Sequence, residues 1–283
     1  MTGKLYITAT PIGNLEDITL RALRVLRQAD IVAAEDTRHT LKLLNHYDIK
    51  ARLFSYHEHN SQTAGRKLVE EMLAGKSVAL VSDAGMPCIS DPGYELVRLA
   101  RAEGIEVTCL PGASAAVAAV ALSGLRADRF VFEGFLARDG RARKNALEAI
   151  RSEKRAVLLY EAPHRLKETL ADLAEYMPER NVAVIKDISK LYESVTTCAL
   201  ADAAEIFEGE IKGEYAILLE QQPEEDERAA AEWTSMPVEE HIRLYIDSGF
   251  SKMDAIKKVA KDRGMKKGEV YNLAYDIKNP SGQ

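Results

Sequence analysis

The chain has 283 residues, with 38 Lys and Arg against 44 Asp and Glu and a net charge of −6. That length accommodates two domains, or one large domain with an appendage, and no apolar stretch nears the roughly 18 residues of a membrane span. Three widely spaced cysteines fit neither a disulfide framework nor a metal pattern, and the acidic balance argues against a general nucleic-acid coat protein. An N-terminus that enters a strand almost at once predicts no signal peptide, so the expectation is a cytoplasmic protein with no membrane partner and no metal.

Leu5–Thr8 reads as a strand running into Ala9-Thr10-Pro11-Ile12-Gly13-Asn14. Asn14 can cap a helix beginning near Leu15, with Asp17 as its reciprocal partner, and Ile18, Ala22, Val25, Leu26 and Ala29 recur at helical spacing. Ile31–Ala34 is a second strand, ending at Glu35-Asp36-Thr37-Arg38. A helix around Lys67–Leu73 precedes the sharpest strand signal, Ser77–Ser82, which stops at Asp83-Ala84-Gly85-Met86-Pro87 and Ser90-Asp91-Pro92-Gly93. A helix around Tyr94–Ala102 precedes Val107–Leu110, which ends at Pro111-Gly112-Ala113-Ser114. This alternation predicts right-handed βαβ units and a parallel sheet.

Ser114 caps an Ala-rich helix to about Leu122. A second set follows: strands at Phe130–Phe132, Val157–Tyr160, Val182–Ile185 and Tyr215–Leu219, with helices near Lys144–Ile150 and Leu166–Tyr176. The organisation is therefore α/β, with domains at 1–115 and 116–222, an acidic linker at 223–237, and a helix-turn-helix-like unit at 238–283. Two basic clusters, Arg138 to Lys144 and Lys252 to Lys267, suit either a polyanion touched at a defined place or a solvated helix face.

Six strand ends carry acids, Arg, His or small residues, which predicts a shared cleft at the carboxyl ends of the strands. The dinucleotide G-x-G-x-x-G, the P-loop, the G-x-S-x-G elbow and zinc spacings are all absent. Gly, Ala, Pro and Ser at strand ends let backbone amides and carbonyls approach a flat, mostly uncharged ligand, so a nucleoside-like cofactor is the natural inference.

Several runs resemble one family. Leu5-Tyr6-Ile7-Thr8-Ala9-Thr10-Pro11-Ile12-Gly13-Asn14-Leu15-Glu16-Asp17, Glu35-Asp36-Thr37-Arg38-His39-Thr40 and Ser55-Tyr56-His57-Glu58-His59-Asn60 are similar to ribosomal RNA small subunit methyltransferases I. So are Val81-Ser82-Asp83-Ala84-Gly85-Met86-Pro87, Glu133-Gly134-Phe135-Leu136 and Tyr160-Glu161-Ala162-Pro163-His164-Arg165. That family lies within the tetrapyrrole methylase superfamily. The resemblance implies two α/β domains with S-adenosylmethionine (SAM) in the cleft, a homodimer, and methyl transfer to the ribose 2′-oxygen of a cytidine in the decoding region. The partner it implies is small-subunit rRNA, free or in the assembled subunit. Porphyrinoid-acting members usually carry Gly-Asp-Pro where this chain has Asp83-Ala84-Gly85-Met86-Pro87. The chain departs from the family at Ala113, where Pro is usual, and at Lys186-Asp187, where Arg-Glu is usual.

On that reading the SAM-binding candidates are Pro11, Asp83, Ala84, Gly85, Ser114, Ala115, Ala162, Gly213 and Glu214, with an Asx turn as the alternative for Asp83. The leading general bases are Glu35 and Asp36, which end a core strand, unless they pair with Arg38 or Arg165; His57, Glu58 and Asp187 follow. Arg38, Arg141, Arg143 and Arg165 are candidates for RNA phosphates. Lys186 and Asp187 are adjacent in a strand and so point to opposite faces, which argues against their acting as a pair. Two other functions stay open: a methyltransferase of a tetrapyrrole, and a non-catalytic ribosome assembly factor that keeps the fold.

Overall fold

Short apolar runs separated by amphipathic stretches fold, in the computed structural model, into two five-stranded sheets. The structure describes residues 2–207, 211–223 and 236–274. It divides into two units, Met1–Gln221, which holds both sheets, and Gln222–Gln283.

The first sheet comprises β1 (Lys4–Thr8), β2 (Ile31–Ala34), β3 (Leu53–Ser55), β4 (Val78–Val81) and β5 (Glu106–Leu110). All are parallel, in the order β3-β2-β4-β1-β5. Period-2 alternation sends Leu5, Ile7 and Ile31 to one face, against α3 (Ser61–Leu73) and α4 (Gly93–Ala102). Val32, Ala34 and Val81 face the other way, against α1 (Leu20–Gln28) and α2 (Thr37–His46). Both faces are covered, so β2 and β4 are buried at every position. Each large aliphatic side chain removed from water contributes roughly 1.5–3 kcal/mol.

The second sheet comprises β6 (Phe130–Phe135), β7 (Ala156–Glu161), β8 (Asn181–Lys186), β9 (Ser194–Ala199) and β10 (Tyr215–Leu219), in the order β6-β7-β10-β8-β9. β6 and β7 are parallel, whereas β10 runs antiparallel to both β7 and β8. One face packs on α6 (Gly140–Ser152), α7 (Leu166–Tyr176) and α8 (Leu200–Ile206) through Leu147, Leu170 and Leu200. The other face is small, with Ala156, Ala183 and Ala216 against Ala116 and Ala119 of α5 (Ala115–Ser123).

Several expectations need adjustment. Asn14 caps not α1 but a single 3-10 turn, Leu15–Asp17, its side chain accepting from Glu16 N at 3.0 Å. Thr19 caps α1 instead, accepting from Ala22 N at 3.0 Å. The run Val182–Ile185 looks like a parallel strand yet pairs antiparallel on both sides. Continuous apolarity reports that both faces are covered, not which way the strand runs. Most of the acidic stretch expected as a linker, residues 224–235, lies outside the described residues, as does the end of the C-terminal unit after 274.

The described part of the second unit has three helices, α9 (Val238–Asp247), α10 (Lys252–Asp262) and α11 (Lys267–Leu273). They share a core that includes Ile242, Ile256, Val259 and Val270. Ser251 caps α10 by accepting from Asp254 N at 3.2 Å. His241 is buried and accepts from Arg263 Nε at 3.1 Å; burial and that guanidinium hold its pKa below the ordinary histidine value. Among the described residues no helix is long and apolar enough to cross a membrane.

Arg180 ties the second sheet together. It is buried and donates to Glu220 O at 2.8 Å, Arg155 O at 2.7 Å and Ile150 O at 3.2 Å, and burial pushes its pKa down to about 10. Arg180→Ala strands those carbonyls, and the expected loss is about 3 kcal/mol of stability, read as a fall in melting temperature of several degrees. An unchanged melting temperature would mean that water replaces the guanidinium.

Candidate active site

β1 and β4 are neighbours whose chain connections leave in opposite directions across the sheet, β1 toward β2 and β4 toward β5. Such a switch point opens a crevice at the carboxyl ends of the strands. The two loops there are bonded to each other. Thr10 N donates to Gly85 O at 2.9 Å, Gly85 N to Thr10 O at 3.1 Å, and Thr10 Oγ1 to Ser82 O at 3.2 Å. Gly85 sits at φ +80°, and a Cβ there would meet Ile12 Cγ2 at 3.1 Å and Ala113 O at 3.5 Å. The loop continues with two non-glycine residues in the left-handed region, Cys88 at φ 72° and Ser90 at φ 64°. Asp91 holds it by accepting from Cys88 N at 2.8 Å and Gly93 N at 2.7 Å. Backbone held in this region costs roughly 1–3 kcal/mol per residue and is concentrated at ligand sites. Cys88 itself is a filler, its thiol pushed up to about 11 by burial.

In the second sheet β6, β7 and β8 all point the same way, so their ends meet the start of β10 at one edge. A cavity of about 440 Å³ is lined from both sheets, within the usual 300–1,000 Å³ range of small-molecule sites. Ile12, Ala84, Gly85, Ser114 and Ala115 contribute from the loops after β1, β4 and β5 and from the start of α5. Phe135, Tyr160 and Ala162 come from the ends of β6 and β7, and Ile188 and Glu214 from beside β10. The lining is mostly apolar and small where main chain comes closest, which fits a flat nucleoside with a short polar tail.

A second cavity of about 630 Å³ lies along the same β4–α4 loop, for Ile89 lines the first and Ser90 the second. This one is acidic, with Glu35, Glu58, Asp91 and Glu95 on its walls. Burial, then the like charges of Asp83, Asp91 and Glu58, push the Glu35 carboxyl above its ordinary value. Asp36 behaves oppositely. Its carboxylate takes a forked contact from Arg38, 2.7 Å from Nη2 and 3.1 Å from Nε, and accepts from Arg38 N at 2.8 Å as the cap of α2. These bonds hold it well below the ordinary carboxylate range. Among the described residues no group of His, Cys, Asp and Glu is placed to hold a metal ion.

A profile of the tetrapyrrole (corrin/porphyrin) methylases matches residues 4–204. The ribosomal RNA small subunit methyltransferase I of Halalkalibacterium halodurans is 48% identical over 272 residues, covering 96% of this chain and 94% of the relative. That of Bacillus subtilis is 44% identical over 278 residues, covering 98% and 95%. The chain belongs to the ribosomal RNA small subunit methyltransferase I family. Solved structures agree on the fold of these tetrapyrrole methylases. A uroporphyrin-III C-methyl transferase from Thermus thermophilus, complexed with S-adenyl homocysteine, matches 76% of this chain and 97% of its own at a TM-score of 0.54 and 20% identity. Diphthine synthase matches 77% and 90% at 0.62 and 19%.

Of the residues expected at the cofactor, Ala84, Gly85, Ser114, Ala115, Ala162 and Glu214 line the first cavity, whereas Pro11, Asp83 and Gly213 do not. Asp83 accepts from Asp36 N at 3.0 Å and lies 3.7 Å from His39 Nδ1, so it joins the β4 loop to the β2 loop. Gly213, at φ +110°, makes room for Asp187, whose Oδ2 would lie 2.6 Å from a Cβ there. Asp187 is itself outside the strand, at φ 52°, and pairs with Lys190 at 3.4 Å rather than with Lys186.

The arginines divide. Arg38 and Arg141 are exposed, Arg38 while paired with Asp36. Arg143 is 6% exposed, its guanidinium bonded to Asp172, Thr169 and Ala137 O, so the expectation that it meets RNA phosphate is corrected. Arg165 is half-buried, and its Nη2 is bonded to the carbonyls of Leu136 and Ala137. The apolar wall residues Ile12, Met86, Ile89, Phe135 and Ile188 are not among the expected cofactor contacts, although Ile12, Met86 and Phe135 lie in runs that resemble the family. An apolar residue in a loop carries no local mark that separates ligand wall from core.

Proposed function

We propose that this family member transfers the methyl group of SAM to the ribose 2′-oxygen of a cytidine in the decoding region of small-subunit rRNA. The observation that carries the reading is the 440 Å³ cavity walled by the expected cofactor residues Ala84, Gly85, Ser114, Ala115 and Ala162. It lies in a chain 48% identical over nearly its whole length to a protein named for rRNA small-subunit methylation. SAM supplies an activated methyl on sulfur. The residues named would hold it through main chain and van der Waals contact, with Glu214 at the rim, while Pro11, Asp83 and Gly213 shape the loops behind. Holding the acceptor oxygen in line is worth up to about 7–11 kcal/mol. Glu35 accepts the hydroxyl proton on this reading. Of the two carboxylates at the end of β2 it is the one whose affinity for a proton is raised, and Asp36 serves instead as cap and partner of Arg38.

Domains at 1–115 and 116–222, a homodimer and a cytoplasmic setting complete the proposal. The open side chains of Leu191 and Tyr192, 88% and 75% exposed, are consistent with a surface that a second copy covers. The deciding experiment incubates the protein with SAM and unmodified small ribosomal subunits, digests the rRNA, and reads 2′-O-methylcytidine by mass spectrometry. One new methyl at one decoding-region cytidine supports the reading. Its absence from both subunits and free rRNA, with SAM bound, overturns it in favour of a tetrapyrrole substrate or an assembly role.

Arg38 and Arg141 are the phosphate contacts of this reading. The double alanine variant is expected to bind an rRNA fragment more weakly, with a log–log salt slope shallower by about 1.4, from roughly 0.7 per phosphate on single strands. Its affinity for SAM stays that of wild type. A salt slope that does not change assigns the RNA surface elsewhere.

A further inference from the structure

Behind the first cavity lies a chain of bonded side chains that the transfer itself does not use. Glu161, the last residue of β7, has only 1% of its side chain exposed, and it accepts from Ala162 N at 2.8 Å through Oε1 and from Thr169 Oγ1 at 2.6 Å through Oε2. Thr169, fully buried on α7, accepts in turn from Arg143 Nη2 at 3.0 Å. Arg143, on α6, also donates to Asp172 Oδ2 at 2.6 Å and to Ala137 O at 3.0 Å. Arg165 closes the circuit: its Nε lies 3.6 Å from Glu161 Oε1, and its Nη2 donates to Leu136 O at 3.0 Å and Ala137 O at 3.1 Å.

The ends of this network fall on two walls of one cavity. Leu136 and Ala137 directly follow Phe135, and Glu161 directly precedes Ala162 and Pro163; Phe135, Glu161, Ala162 and Pro163 all line the cavity. The two segments leave parallel neighbours, β6 and β7, whose pairing ends at Phe135 and Tyr160. Beyond that point no ladder bond fixes their separation, and β6 already carries an irregularity between Phe132 and Gly134, the latter at φ 67°. Arg143 and Arg165 both bond the Ala137 carbonyl and Arg165 also that of Leu136, and these guanidiniums, joined through Thr169 and Glu161 to the Ala162 amide, take over where the ladder stops. We infer that Arg143, Thr169, Glu161 and Arg165 form a buried strut that sets the spacing between the Phe135 and Ala162 walls of the cavity, and so act as positioning residues for the methyl donor. The inference rests on reading that cavity as the SAM site. It gives the two arginines a role facing inward, where their sequence context suggests RNA.

Thr169 is the link that can be cut with least change of shape, because valine is its isostere and lacks only the hydroxyl. Thr169→Val leaves Glu161 Oε2 and Arg143 Nη2 without each other's bridge. Calorimetric titration with SAM, on the full chain without RNA, is expected to show affinity about 10-fold weaker than wild type, with Thr169→Ser restoring it to within about 2-fold of wild type because serine keeps the hydroxyl. In steady state the KM for SAM rises while kcat at saturating SAM stays near wild type. Arg165→Lys is the second variant: it keeps the charge but has one nitrogen where the guanidinium has Nη2 on the carbonyls and Nε beside Glu161, and is expected to weaken SAM binding in the same direction. The melting temperature without SAM is measured alongside. If Thr169→Val or Arg165→Lys melts lower yet binds SAM as wild type does, the network is only a stabilising one and the inference is overturned, with the cavity reading intact. If the wild-type protein itself takes up no SAM, the cavity reading falls and the inference falls with it.

Discussion

Gly85→Ala is expected to bind SAM at least about 10-fold more weakly than wild type. Two costs combine at this position. A residue with a Cβ in the left-handed region costs roughly 1–2 kcal/mol, and Gly85 stands at φ +80°. The added carbon would also lie 3.1 Å from Ile12 Cγ2 and 3.5 Å from Ala113 O, so a neighbour must give by a few tenths of an ångström. Relief by rotating the loop breaks the paired bonds between Thr10 and Gly85. Relief by moving Ile12 shifts another wall of the same cavity. Either way the strain appears in the ligand site, and since about 1.4 kcal/mol is tenfold in affinity, even the lower bound of the combined cost is measurable. Titration with SAM and thermal unfolding without it separate the effects. A lower melting temperature with unchanged affinity would show that the loop relaxes away from the cavity, and that Ala84–Gly85 is a structural turn rather than part of the donor cradle.

The same geometry explains what could be read in the sequence and what could not. β1, β2, β4, β7 and β8 are legible because each is an apolar run cut off by turn chemistry, and both faces of each sheet are in fact covered. β3 and β9 are not legible. The first has only the three residues Leu53–Ser55, and the second is the exposed-edge sequence Ser194–Ala199, with Ser and Thr where a buried strand would be aliphatic. In the site, the small residues at strand ends are legible because close approach of backbone demands them. Phe135 and Ile188 are not, because nothing local distinguishes a wall from a core. Arg143 was misread for a related reason. In the helix it looks like one more cation of a basic surface, and only the fold brings it against Thr169 and Asp172 of the next helix. Charge patterns read along one helix locate charges, but whether a charge is spent depends on partners far away in sequence.

Glu35→Gln carries the largest expected effect on the chemistry, a fall in the rate of methyl transfer of about 10²–10⁴-fold under single-turnover conditions, the range for loss of a positioned general base. Asp36→Asn is expected to change the rate far less, since its carboxylate is held by Arg38 and is a weak proton acceptor. The pH dependence separates the roles further. With its pKa raised above the ordinary 4.5 by burial and by Asp83, Asp91 and Glu58, Glu35 ionises later than a free glutamate. The wild-type rate should therefore climb with pH through a midpoint above 4.5, and the Gln variant should lose that limb. Stability moves the other way. A carboxyl whose pKa is higher folded than unfolded favours the fold while protonated, and that contribution disappears as pH rises through the folded value. At pH 7 the wild type thus carries an unfavourable carboxylate in an acidic cavity, and Glu35→Gln should melt higher than wild type there, with the difference closing below pH 4.5. A residue that lowers stability at working pH and raises rate is the usual signature of a functional group. If the Gln variant instead keeps the wild-type rate at every pH, proton removal is left to solvent, and the enzyme's contribution is the positioning of donor and hydroxyl alone.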